Sequence, residues 1–302
     1  MRGEAVLLLG GGFIGAALMR QLAAAGRSVH VLARRPASAD FSQVHWHCGD
    51  LQDRELLLRL LPGCGTVVHL AAETTPGISA RHPLLEAGNL LPTLTLLEVL
   101  RDFPDTHLIY FSSGGTLYGN PAQLPVAEDA PLAPLSYYGA GKAAQEMLLQ
   151  AFRAQGRAVT ILRPANAYGP GQPLKAGFGL VRTVLEHIRC NTPLEVWGDG
   201  EAVRDFVYVD DVAAACARFV DRPDDNGTYN IGSGEGCSIN GLIRCAGQVC
   251  GRDPQVVYRP ARRSDVAKVI LDISRLRATG WAPQVDLAGG LQRTWEWLRR
   301  QP

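Results

Sequence analysis

The feature that most restricts the fold is an apolar run followed at once by a glycine-rich turn and a helical pattern. Residues 5–9 have the continuous apolar character of a strand that is covered on both faces. Gly10, Gly12 and Gly15 follow with the spacing G-x-G-x-x-G. In a strand–turn–helix unit these glycines let the backbone approach a pyrophosphate, which then faces the helix N-terminus. The sequence therefore predicts dinucleotide binding at this end of the chain.

Further apolar runs alternate with helical patterns along the chain, at 28–32, 44–48, 66–72, 108–112 and 159–162. This alternation predicts an α/β fold with a doubly wound parallel Rossmann sheet, whose ligands lie at the carboxyl ends of the strands. We expect a Rossmann domain over 1–173 and 204–233. The remaining residues, 174–203 and 234–302, are expected to form a small C-terminal lid that binds substrate.

The ends of the strands supply candidate cofactor contacts. The second strand ends in Arg34 and Arg35, where an NAD-binding chain usually has a carboxylate for the adenosine ribose. Forked guanidinium groups suit the 2′-phosphate of NADP, so NAD and NADP both stay open, with NADP favoured on this ground. The other expected cofactor contacts lie in the glycine turn, at strand exits and at the start of a helical segment: Phe13, Ile14, Asp50, Leu51, Ala71, Ala72, Asn89 and Pro164.

Tyr138 and Lys142 stand four positions apart where another helical pattern begins. On a helix this spacing puts both side chains on one face. A phenol with a pKa of about 10 is a poor base at neutral pH, but a neighbouring cation stabilises the phenolate. We therefore interpret the pair as an acid/base centre, and a positively charged nicotinamide ring would stabilise the phenolate further.

Composition argues against several other classes of protein. The chain has 302 residues, a net charge of +1 and no basic region of the kind that binds nucleic acid. No apolar run approaches the ~18 residues of a membrane span. Seven cysteines without a C-x-x-C pair indicate free thiols and a cytoplasmic location. His45 and His47 have no third ligand placed near them, so we expect no metal site.

Eight motifs occur in an order that resembles the extended short-chain dehydrogenase/reductase family, within it the nucleotide-sugar epimerases, dehydratases and reductases. They are GGGFIG, GDL, HLAA, FSSGGTLYG, SYYGAGK, LRPANAYGPGQ, GDGEAVRDFVYVDDVA and YNIGSGEG. The resemblance implies that Tyr138 is the acid/base and that Lys142 also binds the nicotinamide ribose. Gly114 departs from the serine or threonine that the family often has there, so Ser113 or Thr116 must supply that hydroxyl, with Thr116 the first choice.

The resemblance also implies a nucleotide-diphosphate sugar as the substrate. Forked arginines match the oxygens of a diphosphate, and an amide after the sixth strand can bind a phosphate oxygen. A segment with a tryptophan would embrace the base, and the glycine-rich loop would lie beside the sugar. The expected substrate contacts are Gly114, Asn166, Val196, Trp197, Arg204 and Arg262, with Arg263 as a substitute for Arg262.

Three functions remain open from the sequence. The first is an NAD(P)-dependent epimerase that inverts C4 of a UDP-hexose through a transient 4-keto intermediate, with a tightly held cofactor. The second is an NADPH-dependent reductase of 4-keto nucleotide sugars, and the third a non-catalytic dinucleotide-binding protein. Dehydration is not expected, because Gly115 and Thr116 stand where a dehydratase would need an Asp-Glu pair. The resemblance further implies a homodimer through 89–103 and the helix after Tyr138.

Overall fold

The computed structural model describes residues 4–35, 44–175, 177–220, 222–261 and 266–301. Each apolar run predicted above forms a strand, and shorter strands follow in the second half of the chain. In chain order the strands are β1 (Ala5–Leu9), β2 (Val29–Ala33), β3 (Val44–Cys48), β4 (Cys64–His69), β5 (His107–Phe111), β6 (Val159–Pro164), β7 (Asn166–Tyr168), β8 (Leu194–Trp197), β9 (Val203–Arg204), β10 (Phe206–Tyr208), β11 (Gly227–Ile231), β12 (Cys237–Ser238) and β13 (Val256–Arg259).

Several helices begin at a side-chain cap. Ser136, for example, accepts a hydrogen bond from the amide of Gly139 (3.1 Å) and so starts the helix that carries Tyr138 and Lys142. The helices are α1 (Phe13–Ala24), α2 (Arg54–Leu60), α3 (Pro76–Ser79), α4 (Ala87–Leu100), α5 (Gly114–Leu117), α6 (Tyr137–Ala154), α7 (Leu180–Cys190), α8 (Val209–Val220), α9 (Ile239–Cys250), α10 (Ser274–Ala278) and α11 (Leu287–Leu298).

Seven strands form one parallel sheet in the order β11-β6-β5-β4-β1-β2-β3. The chain winds outward from β1 to β3, returns to the centre, and winds outward again from β4 to β6. The direction therefore reverses between β1 and β4, and this switch point leaves a crevice at the carboxyl ends of the two strands. The predicted doubly wound α/β Rossmann fold is confirmed.

One apolar cluster lies on each face of the sheet. Leu8 belongs to the cluster under α1 and α8, and Leu7 to the cluster under α2, α4 and α6. Neighbouring residues of β1 serve opposite clusters because successive side chains of a strand point to opposite faces. Both faces are therefore covered, which explains why these strands read as continuous apolar runs.

A third cluster forms in the second half of the chain, where α7, α9 and α11 contribute Val184, Leu242 and Leu291. After α8 the chain returns to the main sheet, because β11 pairs with β6. Residues 204–233 thus return the chain to the Rossmann sheet. The boundaries of the two predicted domains stay predictions.

Helix α4 begins earlier than the sequence indicates. A 3-10 turn, Pro83–Glu86, precedes it, so the helix begins before Asn89 and Pro92 lies inside it rather than in its first turn. All seven cysteines are free thiols. None of the helices in the described ranges has the length and the apolar character that crossing a bilayer requires.

Candidate active site

In the glycine turn between β1 and α1, Gly10 and Gly15 are closely packed, and Gly12 borders open space. Gly10 has φ +109°, and a Cβ there would lie 2.9 Å from the amide nitrogen of Ala71. A Cβ on Gly15 would lie 2.5 Å from the carbonyl oxygen of Gly10, whereas one on Gly12 would meet nothing within 4 Å. The first and third glycines therefore serve packing, and the second borders open space.

That open space lies at the start of α1. Gly12 caps the helix without a side-chain hydrogen bond, and its first turn, which opens with Phe13 and Ile14, has no acidic residue. The partial positive charge of the helix end is thus left for an external anion. Phe13 and Ile14 are partly buried and pack against the first apolar cluster. These residues fit the pyrophosphate of a dinucleotide.

The two arginines after β2 are exposed, and one of them has an acidic partner. The Arg34 guanidinium lies 3.7 Å from the carboxylate of Glu73, which follows β4. Asp50 closes its own turn by accepting from the amide of Gln52 (2.9 Å), and Leu51 packs against the second cluster. Contacts of these residues with a cofactor stay predictions.

The loop after β4 is held by Asn89. Its Oδ1 accepts from the amide of Glu73 (2.7 Å), while its Nδ2 donates to Thr74 Oγ1 (2.8 Å) and Glu86 Oε2 (2.9 Å). The amides of Leu70 and Ala71 both donate to Leu9, which joins the start of the same loop to β1. Ala72 follows, exposed. Asn89 therefore shapes the strand exit that the sequence assigns to the cofactor.

Tyr138 and Lys142 share the first turns of α6. Lys142 is buried, and its Nζ donates to the carbonyl of Phe111 (2.8 Å) and to Tyr110 Oη (3.1 Å), both in β5. Desolvation lowers the pKa of Lys142 to about 8, although Glu86 and Glu146 oppose it. Desolvation and then the Glu86 carboxylate raise the pKa of the Tyr138 phenol to about 12.

The pKa of Tyr138 is raised, whereas the sequence predicts that Lys142 lowers it. The physical reason is that the half-buried phenol loses solvation and lies near the Glu86 carboxylate, while the lysine bonds to β5. The protein alone therefore favours the neutral phenol, and a further positive charge is needed to make it a base.

The turn 112–116 lies directly beside the start of α6. A Cβ on Gly139 would be 2.6 Å from the carbonyl oxygen of Thr116, so the two segments touch through a glycine. Thr116 Oγ1 donates to Ser113 Oγ (2.9 Å), which brings both candidate hydroxyls together. A Cβ on Gly114 would lie 2.5 Å from Leu271 Cδ1 and 2.8 Å from the carbonyl of Arg163. A serine or threonine at 114 does not fit this backbone.

The residues after β6 border the same turn. Pro164 ends β6, and Asn166 begins β7 with its Nδ2 donating to the carbonyl of Asp205 (3.0 Å). A Cβ on Gly115 would meet the Asn166 amide at 3.5 Å, so this side chain lies across the turn. Asp205 itself is buried and accepts from Ser233, Gly234 and Leu271, which is the structural role that the sequence favours.

The expected base-binding residues lie in the second half of the chain. Val196 is buried in the third cluster, so only its backbone is open to a ligand, whereas Trp197 is exposed. Arg204 forms β9 and donates to the carbonyl of Val203 (2.9 Å). Arg262 and its substitute Arg263 lie outside the described residues.

Comparison with known proteins agrees with this arrangement. The model of the NAD dependent epimerase/dehydratase family matches residues 6–232. The chain belongs to this family.

Relatives of the family resemble the chain over its whole length. A UDP-glucose 4-epimerase of Mycolicibacterium smegmatis is 32% identical over 96% of each chain. The solved UDP-glucose 4-epimerase of Thermotoga maritima, with UDP-glucose, has a TM-score of 0.91 at 34% identity and covers 98% of this chain and 99% of its own. The Thermus thermophilus UDP-glucose 4-epimerase, in complex with NAD, has a TM-score of 0.89 at 33% identity and covers the same shares.

Several groups near this site make contacts that the sequence motifs do not indicate. Tyr110 accepts from Lys142 within the core, and Arg163 binds Glu146 in two hydrogen bonds from Nε and Nη2 (3.0 and 2.6 Å). Glu86 approaches α6 from the turn before α4. A charged residue inside an apolar stretch is the only signal that could have revealed them, and it does not show which segments meet.

We expect Gly12→Val and Gly15→Ala to fail in different ways. Gly12→Val should keep the melting temperature of the cofactor-free wild-type protein but lose the bound dinucleotide, because its side chain enters the open space before α1. Gly15→Ala should instead destabilise the fold by about 1–3 kcal/mol, because its Cβ meets the Gly10 carbonyl. Thermal unfolding and the mass of nucleotide released on denaturation measure the two effects. A Gly12→Val protein that keeps stoichiometric dinucleotide would contradict this assignment of the turn.

Proposed function

We propose that this protein is an NAD-dependent 4-epimerase of a UDP-hexose. The observation that carries the proposal is the contact of α6 with the end of β5, which brings Tyr138, Lys142 and the hydroxyls of Ser113 and Thr116 to one edge of the sheet. An acid/base, a buried cation and a hydrogen-bond donor are what the oxidation of a sugar alcohol requires. The names of the relatives, UDP-glucose 4-epimerases that cover nearly the whole chain, support C4 and the UDP-hexose.

In the proposed reaction Tyr138 takes the proton of the C4 hydroxyl and later returns it. When bound, NAD supplies hydride acceptance and hydride return at C4, and its positive ring also favours the phenolate. Thr116 would donate its one hydroxyl proton to the reacting oxygen, and Ser113 would then donate to Thr116 Oγ1, which reverses the bond that the two hydroxyls form in the free protein. Lys142 holds the ribose side of the site through a charge that β5 keeps in place. The 4-keto sugar would turn over in the pocket so that the other face of C4 meets the hydride donor, and Tyr138 would then return the proton to the C4 oxygen.

We assign the nucleotide end of the substrate to Asn166, which follows β6, and to residues of the second half of the chain. Asn166 would bind a phosphate oxygen, Trp197 and the backbone of Val196 would enclose the base, and Arg204 and Arg262 would hold the diphosphate. The exposure of Trp197 and the position of Asn166 across Gly115 support this direction of binding. Gly114 and Gly115 leave the sugar side of the turn without side chains.

NAD is the cofactor that we propose. Two observations favour it over NADP: a UDP-glucose 4-epimerase of the family was solved in complex with NAD, and Arg34 has Glu73 as an ion-pair partner. A carboxylate beside Arg34 offsets the charge that would attract a 2′-phosphate. Ala71, Ala72, Asp50 and Leu51 would then enclose the adenosine half.

The two other hypotheses from the sequence have less support. A 4-keto-sugar reductase is favoured only by Arg34 and Arg35, whereas the Mycolicibacterium smegmatis and Thermotoga maritima relatives are named UDP-glucose 4-epimerases. A non-catalytic protein would not need a lysine buried at a cost of several kcal/mol behind a tyrosine.

The decisive test is conversion of UDP-galactose without added cofactor. We expect purified protein to form UDP-glucose, measured by chromatography, with no net change in the absorbance of reduced nicotinamide. Tyr138→Phe should lower kcat by about 10²–10⁴-fold because the acid/base is lost. Stoichiometric consumption of NADPH with a 4-keto nucleotide sugar would instead indicate the reductase, and activity unaffected by Tyr138→Phe would contradict both enzymes. The released dinucleotide, identified by mass, distinguishes NAD from NADP.

Thr116 and Ser113 are expected to differ in importance. Thr116→Val removes the donor to the reacting oxygen while keeping the shape, so kcat should fall by about 10²-fold. Ser113→Ala removes only the neighbouring hydroxyl that holds Thr116 in place and should cost less. Steady-state kinetics of the two variants measure the ranking. A larger loss for Ser113→Ala would reverse the roles of the two hydroxyls.

We also propose a homodimer through α4 and α6. Apolar side chains on these helices and the turn before α4 are exposed: Leu84, Leu85, Leu91, Leu94 and Met147. Contiguous exposed apolar side chains of this kind are typical of protein interfaces.

The dimer predicts a specific response to charge. Leu91→Glu combined with Met147→Glu should give monomers in sedimentation velocity, because two carboxylates cannot be buried unpaired. Val257→Glu is the matched control, since Val257 is exposed on β13, away from α4 and α6. A dimer that survives the double change, or is lost in the control, would overturn the proposed interface.

A further inference from the structure

Glu86 is a buried carboxylate for which the reaction described above has no role. It ends the 3-10 turn before α4 and is 9% exposed. Its Oε2 accepts from Asn89 Nδ2 (2.9 Å), and its Oε1 is buried without a hydrogen-bond partner among the described residues. A buried carboxylate that keeps an unsatisfied oxygen is costly, so its retention calls for a physical explanation.

The carboxylate lies against the helix turn that carries the acid/base pair. A Cβ on Gly141 would clash with Glu86 Oε2, so the absence of a side chain at 141 makes room for it. Gly141 precedes Lys142 directly and follows Tyr138 by three residues. Glu86 is therefore packed onto the backbone between the phenol and the ammonium.

The other ionisable groups around the pair are balanced or neutral. Glu146, one turn beyond Lys142, is held by the Arg163 guanidinium at 2.6 Å. Burial and Lys142 lower the pKa of His69 to about 3, so its ring is neutral, and burial raises the pKa of Tyr110 well above its ordinary value. No ion pair of the described residues involves Glu86. Its charge is thus the one that remains to act on Tyr138 and Lys142.

We propose that Glu86 is a positioning residue that offsets the charge of Lys142 and keeps the proton affinity of Tyr138 high enough for the phenolate to take the proton of the sugar hydroxyl. This inference rests on the proposed epimerase reaction. An epimerase needs one group as base and then as acid, and a phenolate between an uncompensated lysine and the positive ring of bound NAD would hold a proton too weakly to take it from the C4 hydroxyl. In agreement, Glu86 raises the pKa of both Tyr138 and Lys142.

The sign of the effect gives the test. Glu86→Gln keeps an acceptor for Asn89 but removes the negative charge, so the phenolate of Tyr138 becomes easier to form. The acid limb of the kcat/KM profile should move to lower pH by about one unit, which is a tenfold gain in rate on that limb. Glu98→Gln, an exposed change on the adjoining helix α4, should leave the profile where it is. A loss of activity that is equal at all pH values would indicate a merely structural role and overturn the proposal.

A second measurement does not depend on turnover. The absorbance of tyrosinate, titrated in Glu86→Gln and in the same variant with Tyr138→Phe, isolates the ionisation of Tyr138. Its midpoint should lie lower than in the corresponding wild-type pair. Gly141→Ala should shift it in the same direction, because the new Cβ displaces the carboxylate. An unchanged midpoint in both variants would refute the role of Glu86. A shifted midpoint in a protein that does not convert UDP-galactose would support the role of Glu86 and contradict the proposed substrate.

Discussion

The buried ammonium of Lys142 is the interaction on which the rest of the site depends. An isolated charge in the core costs several kcal/mol, and here the Phe111 carbonyl and the Tyr110 hydroxyl offset that cost. Both acceptors belong to β5, so satisfying the charge fixes α6 against the carboxyl end of that strand. The phenol of Tyr138 and the hydroxyls of the neighbouring turn then come together as a consequence of the same contact.

A second buried charge, that of Arg163, fixes the long connection after α5 in a similar way. Arg163 of β6 binds Glu146 of α6 and also donates to the Tyr118 hydroxyl (2.7 Å) and the carbonyl of Glu128 (2.8 Å). Removing one member would leave a buried charge unpaired, which costs more than the pair contributes. The Arg163 guanidinium thus joins the sheet, helix α6 and the connection after α5. These contacts explain why a charged group is retained in the core.

The fold could be predicted from the sequence because its signals are local. The run of β1, the spacing of Gly10, Gly12 and Gly15, and the pair Tyr138 and Lys142 all lie within single elements. The remaining features arise between distant segments. Leu271 meets Gly114, and Glu86 meets Gly141, across long stretches of chain with no periodicity to connect them. The direction of the Tyr138 pKa shift could not be predicted for the same reason. It depends on which distant segments surround the phenol and on the Glu86 carboxylate, which lies in another part of the chain.

The position of Leu271 has a mechanical consequence. The amides of Leu271 and Asp272 donate to Asp205 and to the carbonyl of Val126, while the carbonyl of Ile270 accepts from the Val126 amide. The strip that fills the space above Gly114 is therefore anchored to two separate parts of the protein. Because hydrogen bonds to both parts must break before the strip can move, it holds the backbone of the turn 112–116 in a fixed position.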